Sequence, residues 1–226
     1  MSIQRGPSKS VTTGLVLYLD AANLTSYPGS GTTWTDLSGN NNHGTLTDGP
    51  TFSSANGGSI VFDGVNDYVT VANNSSLNAT TQTINIWYNA TTLPGRIATI
   101  IGKHDTTGSF NGYNVFAGNS CQIKAASGGG SISVGLGGGT TSVWYFSTLT
   151  FSINETATFY VNGVNTSSVA CVNFTMSSNP LTIGRSLDSF WSVYTGRIAV
   201  VQVYNRVLTA TEVLQNYNVT KSRFGL

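Results

Sequence analysis

The residues of this chain that could do chemistry are few, and their spacing argues against catalysis. Cleaving a glycoside needs two carboxylates on one cleft, roughly 5–9.5 Å apart. The sequence has only two glutamates. Glu155 stands at the entrance to a hairpin signal and Glu212 at the start of a helix signal. Acyl transfer by a serine needs a histidine base. His43 and His104 are the only histidines, and no Gly-x-Ser-x-Gly elbow is present. His104 follows Lys103 in a loop-like stretch and reads as solvated. A hard cation wants several oxygen ligands. Asp63 and Asp67, with Asn66 between them, are the best metal candidates, and calcium is the ion they would suit. The favoured reading is a turn at Asp63-Gly64, with Asp67 bonded to the loop backbone. Aromatic rings in loops can stack on sugars. Trp191 and Tyr194, in the polar loop before Gly196, are therefore the glycan-binding candidates. Trp34, Trp87 and Trp144 sit in core-like runs. No organic cofactor is implied: the clusters Gly128 to Gly130 and Gly137 to Gly139 lack a phosphate-binding pattern followed by a helix and read as strand connections.

These residues must be positioned by strands. Charged residues are 8% of the chain against roughly 25% in an ordinary soluble domain. Hydrophobic residues are 39% and aromatics 11%. A low-charge chain rich in Thr, Val, Tyr and Phe fits strands joined by tight turns. Thr83 to Tyr88 alternates apolar and polar residues, the period of a half-buried strand. Phe159-Tyr160-Val161 followed by Asn162-Gly163 is a type I′ hairpin signal. Similar runs recur at Leu15 to Leu19, Ser59 to Phe62, Val143 to Ile153 and Gly196 to Tyr204. Thr209 and Glu212 have capping-box spacing ahead of Val213, Leu214 and Tyr217, which predicts one short helix. The fold class is therefore all-β, a two-sheet antiparallel β-sandwich with one short C-terminal helix. The predicted organisation is an N-terminal arm over residues 1–10, one domain over 11–219 and a C-terminal tail over 220–226.

Net charge is +1 and no two basic residues are adjacent, so nothing drives nucleic-acid binding by counterion release. The apolar runs are too short to span a bilayer. Met1 to Ser10 has no apolar core of a secretory signal, so the protein is expected to stay in the cytoplasm or to leave by another route, such as cell lysis. Cys121 and Cys171 lack metal spacing and read as two reduced thiols, with a disulfide between them as the alternative.

Six local motifs stand in a recognisable order. They are Trp34-Thr35-Asp36-Leu37-Ser38-Gly39-Asn40, His43-Gly44-Thr45-Leu46, Ser59 to Val69, Phe159 to Gly163, Leu181-Thr182-Ile183-Gly184 and Val203 to Leu208. Together they resemble the laminin-G/pentraxin-like branch of the concanavalin A-like lectin/glucanase jelly rolls. The resemblance implies binding of sugars, proteins or cell surfaces, and a structural role for His43 within its turn motif. Relatives often hold calcium at a rim with an acidic pair on the late strand. Ala199-Val200 stands there in this chain. The ends, Gly14 to Trp34 and Gln215 to Leu226, are similar to laminin-G-like domains of tailed-bacteriophage structural proteins. That similarity implies a non-catalytic component of the virion surface, as capsid decoration or tail fibre, docked on capsid or tail proteins. Arg5, Lys9, Phe224 and Leu226 are the docking candidates, and a homo-oligomer, as a trimer, is the expected state. The alternative is a carbohydrate-binding or adhesion module without a virion role.

Overall fold

The computed structural model describes residues 9–93, 98–105, 111–124, 131–135, 139–188 and 193–226. Two antiparallel sheets of eight strands each form a sandwich. The first sheet holds β1 (Leu15–Asp20), β4 (Thr51–Ser53), β5 (Ser59–Asp63), β7 (Thr81–Ala90), β12 (Trp144–Ser152), β13 (Thr156–Val161), β14 (Val164–Ala170) and β16 (Thr195–Tyr204). Its order is β14-β13-β12-β7-β16-β5-β4, with β1 also paired to β16. The second sheet holds β2 (Thr33–Trp34), β3 (Gly44–Thr47), β6 (Tyr68–Val71), β8 (Thr99–His104), β9 (Gly112–Phe116), β10 (Ser120–Lys124), β11 (Ser131–Gly135) and β15 (Leu181–Ile183). Its order is β11-β10-β9-β8-β15-β6-β3-β2.

The two-residue side-chain period of a strand builds the core. Leu46, Val69, Ile183, Ile101, Val115, Cys121 and Val134 are cross-strand partners in one continuous row of the second sheet. All seven are buried in the main hydrophobic cluster. Ile84, Leu149, Phe159 and Val203 form the facing row of the first sheet, also buried in that cluster. Asn162 and Gly163 take φ of 51° and 80°, as the β13–β14 hairpin turn requires. Both thiols are buried and unbridged, and burial pushes the Cys171 thiol up to about 11.

The first sheet's outer face is covered. Helix α1 (Ala210–Thr220) carries the capping box: Glu212 N–H donates to Thr209 Oγ1 at 3.3 Å, and Thr209 N–H donates to Glu212 Oε2 at 2.9 Å. Arg206 grips the same carboxylate at 2.7 and 3.0 Å and holds it down at about 2. Thr209→Ala should therefore cost about 0.5–2 kcal/mol in chemical denaturation. An unchanged midpoint would show that the cap contributes nothing to this fold.

A short 3-10 turn, Lys221–Phe224, continues the helix. Phe224 is buried and stacks on Trp87, ring centroids 4.1 Å apart. Phe224 is thus part of a second core with Trp87, Trp144 and Phe146, and it is not a free docking anchor as the sequence suggested. Leu226 is 45% exposed. Lys9 is exposed, with its carbonyl accepting from Gln215 Nε2 at 2.9 Å; Arg5 lies outside the described residues. Ser131–Gly135, between the two glycine clusters, is a strand paired with β10.

A groove at the rim of the second sheet

The second sheet's outer face has a different character. The row next to its apolar one reads Thr45, Thr70, Thr182, Gly102, Asn114, Gln122 and Ser133. Asn114 is fully buried, and neither atom of its side-chain amide has a hydrogen-bond partner. Such a group costs about 1–3 kcal/mol of desolvation.

At one end of this face two loops meet. Between β5 and β6, Asp63 Oδ1 accepts from Val65 N–H at 2.8 Å and Asp67 Oδ2 accepts from Asp63 N–H at 2.9 Å. This tight turn leaves Val65 73% exposed at its tip. The segment after β15 begins at Gly184, whose φ is +87°. Arg185 follows, its guanidinium 4.4 Å over the Tyr68 ring and its Nε donating to the Ser186 carbonyl at 3.3 Å. Val65, Asn66, Arg185, Ser186, Leu187, Asp188 and Val193 line a groove of about 300 Å³.

His104 braces the groove from below. It is fully buried, because β8 carries it beneath the segment after β15, where the sequence suggested a solvated loop. Its Nδ1 lies 2.8 Å from the Asp105 carbonyl, so Nδ1 carries the proton. Nε2 then accepts from the Ser186 hydroxyl at 2.7 Å. Asp188 stands 3.9 Å from Nδ1. Ser, His and Asp are the residue types of an acyl-transfer triad, but the geometry is not that of one. A triad carboxylate bonds Nδ1–H, and here the Asp105 carbonyl occupies that position. Ser186 is also 4% exposed, which shields its hydroxyl from a substrate.

Burial holds the His104 pKa below its ordinary 6.5, outweighing the Asp105 carbonyl bond and the Asp188 and Asp105 charges. Below about pH 6.5 the unfolded chain then binds a proton that the folded chain refuses. Stability should fall as pH drops from about 7 to 5. Denaturant midpoints across that range should fall less steeply in His104→Gln. Equal slopes would remove His104 as the cause.

The other sequence candidates separate. Tyr194 is fully buried, edge-on to Phe62 at 5.8 Å, with its hydroxyl donating to the Arg197 carbonyl at 3.0 Å. It has no free ring face for a sugar, because β16 starts at the next residue and pulls it into the core. Trp191 lies outside the described residues. Asp63 and Asp67 each spend one oxygen on the loop backbone. Asp67 is buried, its pKa raised by desolvation, with Oδ1 unpartnered. Among the described residues no three His, Cys, Asp or Glu side chains group to hold a metal. Glu155 is exposed in the β12–β13 turn, and Glu212 is committed to the helix cap. His43 accepts from Asp36 N–H at 3.0 Å within its turn. The sequence reading missed Arg185, Asp188 and the His104–Ser186 bond. One signal was available, an arginine directly after the Leu181-Thr182-Ile183-Gly184 motif in a chain with few charges.

A family model described as the concanavalin A-like lectin/glucanase superfamily, of laminin-G type, matches residues 63–214. The chain belongs to this superfamily. No curated protein matches it by sequence. Among solved structures, the superfamily fold recurs in the binding domain of Paraclostridial Mosquitocidal Protein 1 (19% identity, TM-score 0.71, 91% of this chain and 52% of that one). It recurs in domain 4 of an extracellular arabinanase from Geobacillus stearothermophilus, solved with arabinotriose (15% identity, TM-score 0.69, 90% and 98%). A sialidase from Trypanosoma rangeli is also similar (16% identity, TM-score 0.68, 93% and 33%). The chain thus spans about half of the first of these, a third of the sialidase, and nearly all of the arabinanase domain. These likenesses establish the fold. No helix among the described residues is long and apolar enough to cross a membrane.

Proposed function

We propose that this domain is a non-catalytic glycan-binding module and that its ligand sits in the groove between the β5–β6 turn and the segment after β15. The observation that carries the reading is the lining itself. Val65, Leu187 and Val193 offer apolar surface beside Asn66, Arg185 and Asp188. A few convergent polar groups on an apolar wall are the usual make-up of a small-ligand site. The superfamily's fold and an arabinanase domain solved with arabinotriose support the same reading. Glycan-array binding should be lost in Asp188→Ala and Asn66→Ala. Trp191→Ala tests the stacking role expected of that ring from the sequence. Binding that survives both groove substitutions would overturn the assignment.

A second reading concerns where the module is displayed. The terminal motifs similar to phage structural proteins meet in the fold, where Arg223 of the last pairs with Asp20 of the first at 2.7 Å. On this reading the domain is a virion-surface component, docked as an oligomer, with a trimer the expected state, through Arg5, Lys9 and Leu226. Mass spectrometry of purified particles should find it in stoichiometric copies, and deleting residues 1–10 should prevent attachment. Attachment of the truncated protein to bare particles, equal to that of the full chain, would defeat the docking route.

A further inference from the structure

Arg185 is held unlike Arg206 and Arg223. Arg206 makes a two-point pair with Glu212, and Arg223 pairs with Asp20. Arg185 has no ion pair with any described residue. Its guanidinium carbon stands 4.4 Å from the Tyr68 ring centroid, and its Nε donates to the Ser186 carbonyl. Stacking uses the face of a guanidinium and leaves its in-plane donors intact. The ring contact and the Nε bond leave the two terminal nitrogens, the fork that takes a carboxylate by two parallel hydrogen bonds. Orientation is fixed before binding, so little side-chain entropy is lost when the fork is used.

The rest of the lining narrows the class. Asp188 shares the groove and would repel a bare anion or a polyanion. A ligand with a single carboxylate for Arg185 on an otherwise uncharged ring meets this field better than a polyanion does. Val65 offers an apolar wall to the carbon face of a ring. Resting on the glycan-binding reading above, we infer that the groove selects a carboxylate-bearing sugar, with Arg185 taking the carboxylate.

The test is titration calorimetry on the full chain with three disaccharides. One ends in glucuronic acid, one is its carboxyl-reduced counterpart, and one is a neutral sugar bearing a sulfate ester. A charge-assisted two-point contact should favour the glucuronate by about tenfold or more over the reduced sugar. Arg185→Gln should bind the acid and the reduced sugar equally, with the preference for glucuronate lost. Arg185→Lys, which keeps the charge and loses the fork, should fall with it. Equal affinity of the native protein for acid and alcohol, full selectivity in Arg185→Lys, or tighter binding of the sulfate ester would each overturn carboxylate selection while leaving glycan binding in place. No binding of any sugar would overturn both readings.

Discussion

Removing Lys221 to Leu226 should cost on the order of 5 kcal/mol, a large share of the 5–15 kcal/mol that stabilises a typical domain. Phe224 is 6% exposed and packs on Trp87 at 4.1 Å and on Trp144 at 4.6 Å. Truncating a buried phenylalanine costs about 3–5 kcal/mol. Arg223 adds an ion pair to Asp20 and donates to the carbonyls of Asn56 and Gly58. Charged hydrogen bonds of this kind contribute about 1.5–3 kcal/mol. Urea midpoints at constant slope would measure the loss. If the truncated chain fails to fold, Phe224→Ala alone should show about 3–5 kcal/mol. Leu226→Ala, 45% exposed, should stay within about 0.5 kcal/mol. A loss under about 1 kcal/mol in both the truncation and Phe224→Ala would mean that the second core is not cooperative with the sandwich.

Gly184→Ala should both destabilise the fold and abolish ligand binding in the groove. A Cβ at this position would stand 2.5 Å from two ring carbons of Phe62, at a φ of +87° that side chains disfavour. The left-handed backbone costs about 1–2 kcal/mol and overpacking about 1–3 kcal/mol, together about 2–5 kcal/mol. Phe62 cannot move aside easily, since it is 1% exposed and packs against Tyr194. Gly184 also pins the groove segment. Its N–H donates to the Ile100 carbonyl at 3.0 Å, and its carbonyl accepts from Tyr194 N–H at 2.9 Å. Shifting it displaces Arg185 and Asp188 together. Gly31→Ala is the control, with φ of +93° and nothing within 4 Å of its Cβ. Only the backbone part of the cost should appear there. Equal losses in the two variants would show that the Phe62 clash contributes nothing.

The sequence by itself determined the fold class, the hairpin at Asn162-Gly163, the capping box at Thr209 and Glu212, and the buried tryptophans. Each of these is written in a local pattern: a period of two, a turn dipeptide, a four-residue cap, an apolar run. Strand β14 was signalled only by the Asn162-Gly163 turn before it, since Val164–Ala170 is largely exposed and takes its strand form by pairing with β13. Only the tertiary structure decided which side chains face a ligand. Tyr194 and Phe224 looked exposed beside polar neighbours, yet long-range packing on Phe62 and Trp87 buries both. His104 and Ser186 are 82 residues apart and meet only because β8 and β15 are paired. The groove was likewise illegible in the sequence, since Asn66 and Arg185 become neighbours only when β6 and β15 lie side by side. Local periodicity sets which residues turn inward. The pairing of distant strands sets which polar residues gather at one rim, and no local signal encodes that.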